Sequence, residues 1–168
     1  MGRRGAGLTR RRCRCPGFHG CEPRNAGQRE VGTRHTDAVS ERNVLGDPLE
    51  PCGMEPLTGF YRDGCCRSGV EDRGSHTICA VVTAEFLQHQ RGIGNDLSTP
   101  MPAYRFPGLV PGDRWCVTAA NWLLAHEDGA AAYVVLASTH ERALEIVPLA
   151  ALREHAVDVP EDPGPLAG

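Results

Sequence analysis

Glycine or proline interrupts the chain at Gly46, Pro48, Pro51, Gly53, Pro56, Gly59 and Gly64, and prolines recur at Pro100, Pro102, Pro107 and Pro111. Proline removes a backbone donor and glycine gives up the most conformational entropy on ordering, so neither stretch can hold a long helix or strand. Regular structure is therefore confined to what lies between and after them. HTICAVV (76–82) is β-branched, apolar and bounded by Gly74 and Ser75, and reads as a buried strand. Thr83 can cap a helix over AEFLQHQR, with Gly92 closing it in a left-handed turn. Asp113, after Pro111 and Gly112, reads as the N-cap of a helix over RWCVTAANWLLAHED that ends at Gly129. That helix would put Cys116 in its first turn, where free N–H groups favour a thiolate, and would bury Trp115 and Trp122 on one face.

AYVVLAS (132–138) predicts a second strand, THER a polar break and ALEIV (143–147) a third strand. Pro148 opens a last helix over PLAALREHAV, with Leu149, Leu152 and Ala156 on one face. A short strand at Leu57–Tyr61 also fits. A break as short as THER demands a hairpin. The expected fold class is therefore a loop-rich, single-domain α+β fold, with a small mixed or antiparallel sheet and two to three helices.

Charge divides the chain. Residues 1–42 carry ten Arg against four acids, whereas residues 43–168 carry eight Arg against seventeen acids. The first part has no apolar periodicity and reads as a disordered Arg-rich arm, with translation starting near Val39 as the alternative. Residues 43–158 read as the folded domain and 159–168 as a Pro-rich disordered tail. All eighteen basic residues are Arg, which points to a GC-rich bacterial genome. No apolar h-region follows the arginines and no stretch is long enough to span a bilayer, so the expectation is a cytoplasmic protein without a membrane partner. Nucleic acid is not expected either, because no recognition motif or aromatic residue accompanies the basic ones. The arm also holds CRCPGFHGC, with Cys13, Cys15, His19 and Cys21, whose spacing matches no finger pattern.

Six motifs stand out in the domain: NVLGDPLEPC (43–52), LTGFYRDGCC (57–66), GSHTICA (74–80), GNDLSTP (94–100), PGDRWC (111–116) and ASTHE (137–141). On these the chain resembles a bacterial protein family classed as a domain of unknown function. The resemblance spans nearly the whole domain, implies a compact α+β fold and transfers no activity. Ser138 and Pro148 depart from the family pattern, and the Arg-rich arm lies outside it.

The domain holds Cys52, Cys65, Cys66, Cys79 and Cys116, spaced C-x12-C-C-x12-C over the first four. Five thiols cannot pair off completely, and without an export signal the expected compartment is reducing, so disulfides are not expected. Three readings stay open. One is a zinc or iron site, or a small-ligand site, drawing on Cys52, Cys65, Cys66, His76 and Cys79, with Cys116 and His140 as further candidates. Another is thiol chemistry with Cys116 or Cys66 as nucleophile, His140 or His76 as base and Asp96 or Glu141 orienting the imidazole, while Asn95, Asp96 and Arg114 position an anion. The third is a structural or protein-interaction domain with inert, buried cysteines, in which GNDLSTP is a local turn device. All three depend on which loops converge on Cys65, Cys66, His76, Asp96, Cys116 and His140.

Overall fold

The computed structural model describes residues 41–158. The Arg-rich arm with its CRCPGFHGC cluster, up to residue 40, and the tail from residue 159 lie outside the described residues. Glu41 and Arg42 belong to the packed structure, since Arg42 bridges to Pro48 and Leu49 N donates to Glu41 O.

Three short strands form one antiparallel sheet in the order β2-β1-β3: β1 is Ile78–Val81, β2 is Arg114–Val117 and β3 is Tyr133–Val134. Among the described residues three α-helices accompany it: α1 (Ala84–Gly92), α2 (Ala119–Glu127) and α3 (Leu149–Glu154). The fold is thus α+β with an antiparallel sheet.

Strand periodicity sorts the side chains into two layers. Successive residues point to opposite faces, so Ile78, Ala80, Trp115 and Val117 join one core with Phe86 of α1, Trp122 and Ala125 of α2 and Leu152 of α3. Cys79, Val81 and Cys116 face the other way and pack with Cys52, Cys66 and Val135. Helices cover one face of the sheet, and the Gly/Pro-rich chain around Cys52 and Cys66 covers the other. That second cover is poor in apolar residues and cannot be held by burial alone. Two disulfides hold it instead, Cys52–Cys79 and Cys66–Cys116.

Several expectations are realised locally. Thr83 caps α1, its hydroxyl accepting from Phe86 N at 3.1 Å. The left-handed glycine after α1 is Gly94 (φ 85°) rather than Gly92, which is the last helical residue. Pro148 stands at the N-cap of α3.

Other expectations are corrected. No helix starts at Asp113. Val110 to Asp113 close a turn, with Asp113 N donating to Val110 O (3.1 Å), Val110 N donating to Asp113 Oδ2 (2.9 Å) and Gly112 at φ 99°. This arrangement suits Pro then Gly at the central positions. The chain leaves the turn extended because β1 needs a partner on that side, and α2 begins only after Thr118. Trp115 therefore sits on β2 and Trp122 on α2, both buried but not on one helical face. ALEIV is not a strand: Glu141–Glu145 is a 3-10 turn capped by the His140 ring, and Leu144 and Ile146 are exposed while Ala143 is buried. AYVVLAS is extended only at Tyr133–Val134 before a 3-10 turn over Leu136–Ser138. THER makes no hairpin; the antiparallel partner of β3 is β1. Leu57–Tyr61 contributes a single bridge, Met54 to Leu57.

Candidate functional site

Edge strand β2 needs cover along its outer side, and the loop around Thr58 supplies it. Thr58 is fully buried and its hydroxyl accepts from Cys116 N at 2.7 Å. That contact brings Gly59, Phe60 and Arg62 alongside Trp115. The proline-punctuated loop 94–106 closes the opposite wall, and the result is a cleft of about 350 Å³ between Phe60, Arg62, His76, Asp96, Phe106 and Trp115, with Cys116 also in its lining.

His76 is held in this wall by Asp72. The Asp72 carboxylate has no exposed side-chain surface and contacts His76 Nδ1 at 2.7 Å, while its second oxygen accepts from His76 N at 2.8 Å and from the Ser68 hydroxyl at 3.2 Å. Burial pushes the Asp72 carboxyl up, but the hydrogen bonds from the His76 ring and backbone, and the ring's charge, outweigh it and hold the carboxyl below its ordinary value. Asp72 is therefore ionised at neutral pH. The His76 ring is about one-third exposed, and its Nε2 makes no hydrogen bond among the described residues.

Arg62 supplies the positive charge of the cleft. Its guanidinium lies 4.8 Å from the Trp115 ring centroid and donates to Leu57 O at 3.2 Å, and it pairs with no carboxylate among the described residues. A stacked guanidinium keeps its charge and most of its donors. Strain gathers here as well. The three non-glycine residues with positive φ among those described are Arg62 (54°), Ser75 (52°) and Arg105 (51°). Arg62 lines the cleft, Ser75 precedes His76, and Arg105 lies between the lining residues Tyr104 and Phe106. Left-handed non-glycine residues are unfavourable and concentrate where a site demands them.

Asp96 is in the cleft but is occupied with its own loop. Its carboxylate accepts from the Thr99 hydroxyl (2.7 Å), Ser98 N (2.8 Å) and Thr99 N (3.1 Å), and Arg91 Nε lies 3.3 Å away. Those hydrogen bonds, Thr99's first, lower its carboxyl to about 2. It does not orient an imidazole. Asn95 lines the cleft, whereas Arg114 is not among its lining residues.

His140 is elsewhere. It is buried, its Nε2 bonds to the Glu41 carboxylate and its Nδ1 accepts from Arg142 N. Its backbone N donates to Thr77 O, on the side of β1 away from β2, so β1 lies between His140 and Cys116. The trio Cys116, His140 and Asp96 is not assembled. Of its members, Cys116 and Asp96 share the cleft with His76.

The sulfurs converge, and they do so as disulfides, contrary to the expectation from a reducing compartment. Cys79 and Cys116 are direct partners in the β1–β2 ladder. Their N–H groups point outward, to the Thr139 and Thr58 hydroxyls, which marks a non-hydrogen-bonded pair, the kind whose side chains approach most closely. Cys52 and Cys66 reach them from the covering loop. The sulfurs of Cys52, Cys66 and Cys116 all lie within 4.8 Å of one another, and Cys79 Sγ is bonded to Cys52 Sγ at 2.05 Å. Cys65 is also disulfide-bonded, but it belongs to neither this sulfur group nor its apolar surroundings. Of the metal ligands expected from the sequence, Cys52, Cys66 and Cys79 are brought together with Cys116, while Cys65 and His76 are not part of that group.

Sequence reasoning missed Asp72 and Arg62. Asp72 stands four residues before His76 in an irregular loop, where i,i+4 spacing carries no helical meaning, and Arg62 reads as one more loop charge. Only the Thr58–Cys116 contact brings Arg62 to Trp115.

No helix among the described residues is long and apolar enough to cross a membrane. No curated protein matches the chain. A family model described as an uncharacterized protein conserved in bacteria matches residues 42–156, which takes in the Cys52–Cys79 and Cys66–Cys116 disulfides, the Asp72–His76 pair and every wall of the cleft. The chain therefore belongs to that bacterial family, DUF2237.

Proposed function

We propose that the domain binds a small anionic molecule with a flat apolar body in the cleft beside β2, and that His76 exchanges a proton with it. The Asp72–His76 pair carries this reading. With Asp72 ionised against Nδ1, Nε2 is the ring nitrogen left for the occupant of the cleft, to give it a proton or to take one. Arg62 adds a cationic fork suited to a carboxylate or phosphate oxygen. Phe60, Tyr104, Phe106 and Trp115 offer ring surface for the rest of the molecule. A volume near 350 Å³ fits a metabolite-sized ligand, at the small end of such sites. We place the protein in the cytoplasm, where disulfides of this kind are transient or redox-sensing; cell fractionation checks the location.

Titration of the full chain with benzoate and with phenyl phosphate, followed by tryptophan emission, tests the reading. Trp115 lines the cleft and its emission should respond to an occupant. Arg62→Ala and His76→Gln should each weaken binding about tenfold, the scale of one charge-assisted hydrogen bond, and leave the far-ultraviolet circular dichroism unchanged. If neither anion alters emission or melting temperature at millimolar concentration, or if both variants bind like the parent, the proposal is wrong.

A further inference from the structure

The four converging sulfurs are distinct from the proton-handling pair of the cleft. Cys52, Cys66, Cys79 and Cys116 have at most 2 % of their surface exposed. Structural disulfides need only to come in pairs. Here two pairs are crowded together, with three sulfurs mutually within 4.8 Å and the fourth bonded to one of them. Four thiolates around a tetrahedral ion, each about 2.3 Å from it, stand roughly 3.8 Å apart, a spacing inside the span these atoms already cover. Opening each S–S bond to that separation is a movement of side chains.

Backbone hydrogen bonds position the sulfurs alongside the disulfides. Cys52 N and Gly53 N both donate to Gly64 O (2.8 and 3.2 Å), and Gly64 N donates to Thr58 O (3.0 Å). Thr58 in turn holds Cys116 N, and Thr139 holds Cys79 N at 3.1 Å. Reduction leaves four buried thiols, three of them mutually within 4.8 Å and the fourth beside Cys52, on backbone that hydrogen bonds also hold. All four are soft ligands, and four is the number that closes a structural zinc site.

We propose that Cys52, Cys66, Cys79 and Cys116 form a redox-gated metal site, two disulfides in the oxidised protein and a tetrathiolate cage for one zinc ion in the reduced one. Each disulfide accepts two electrons and two protons from a dithiol reductant, which leaves as its own disulfide. Zinc then displaces the four thiol protons to solvent, and four Zn–S bonds form. In the reverse direction two equivalents of a disulfide oxidant take the four electrons and, with four protons from solvent, leave as thiols; the two S–S bonds form again, and zinc is released. Cys65 and His76 take no part. Oxidation state thus decides whether the covering loop is tied to the sheet by two covalent bonds or by one ion, and both hold the wall of the cleft through Cys116.

The full chain carrying Cys13→Ser, Cys15→Ser and Cys21→Ser removes the thiols of the arm from the experiment. After reduction with dithiothreitol and transfer into a phosphine reductant, it is titrated with cobalt(II) without oxygen. The expected result is the intense visible spectrum of tetrahedral cobalt thiolate at one ion per chain, bleached by one equivalent of zinc and absent before reduction. Cys65→Ser should leave the spectrum unchanged, whereas Cys116→Ser should abolish it. Should the Cys116 variant not fold, maleimide labelling of the unsubstituted reduced chain replaces it. Zinc should then slow labelling of Cys52, Cys66, Cys79 and Cys116 at least tenfold and leave Cys65 unaffected. No tetrahedral cobalt spectrum after reduction, or protection of a set that includes Cys65, overturns the proposal. Loss of anion binding in the cleft would not touch it, since neither readout involves His76 or Arg62.

Discussion

Cys79 and Cys116 face each other directly across the β1–β2 ladder, yet neither bonds to the other: Cys79 is joined to Cys52 and Cys116 to Cys66. Each strand cysteine thereby ties down a different part of the covering loop, at sequence separations of 27 and 50 residues. A bond between the two strands would have stapled a ladder that backbone hydrogen bonds already hold. The observed pairing fixes chain that has few other means of attachment.

Removing the staples should therefore cost real stability. On loop-closure entropy the Cys52–Cys79 bond stabilises by about 3.5 kcal/mol and the Cys66–Cys116 bond by about 4 kcal/mol. Urea unfolding of the oxidised chain with either pair replaced by Ala should show losses of that order, the larger for Cys66 and Cys116. Losses below about 1 kcal/mol would mean that the loop layer holds the sheet by other contacts.

Two threonines should respond in opposite ways to the same substitution. Thr139 Oγ1 accepts from Cys79 N and donates to Val135 O at 2.8 Å, all of it buried. Thr139→Val leaves Cys79 N buried without its partner, while Val135 O keeps its bond from Ser138 N, and should destabilise by about 2 kcal/mol. The Thr118 hydroxyl is buried with no partner among the described residues, so Thr118→Val should be neutral or slightly stabilising. Chemical denaturation of the two variants side by side decides this.

Acid should expose the worth of Asp72. Its folded-state carboxyl lies below the ordinary 3.8, so the unfolded chain takes up the proton first. The resulting stability is complete above about pH 4 and is lost as pH falls through the folded value. Asp72→Asn should remove this acid-side dependence and cost about 1–3 kcal/mol at neutral pH, because the His76 ring and backbone lose a charged partner. Melting temperature against pH for both proteins gives the comparison.

His155 predicts a second dependence at higher pH. Burial, and then the neighbouring His126 ring 3.1 Å away, lower its value from 6.5. The neutral ring is thus favoured in the fold, so stability is complete above about pH 6.5 and declines as pH falls through the folded value. His155→Phe keeps an aromatic ring against Trp122, which His155 meets edge-on, and should flatten the melting curve between about pH 7 and pH 5. An unchanged slope would assign that pH range to other groups.

Local chemistry was legible wherever one residue type dictates one geometry. Thr83 before an apolar-periodic run specified a cap, Pro148 a helix start, and the β-branched run after Ser75 a strand buried on both faces. The Asp113 reading went astray because an acid after Pro-Gly serves equally as the last residue of a turn. The following RWCV is apolar enough for either state, and the unsatisfied edge of β1 selected the strand. ALEIV alternates like a strand, but no strand lay beside it to pair with, so its apolar residues ended at the surface.

The sequence by itself determined the raw materials: the fold class, a loop-heavy cover too poor in apolar residues to hold itself down, and five domain cysteines beside a histidine. The tertiary structure alone decided which of them meet. A pairing such as Cys66 with Cys116, or Arg62 with Trp115, depends on strand register and on which loop seals the open side of β2. Those are set by long-range packing and hydrogen bonding, which no spacing along the chain encodes. His140 shows the same rule in reverse, with the right chemistry in the right family motif, on the far side of a strand from the thiol it would have served.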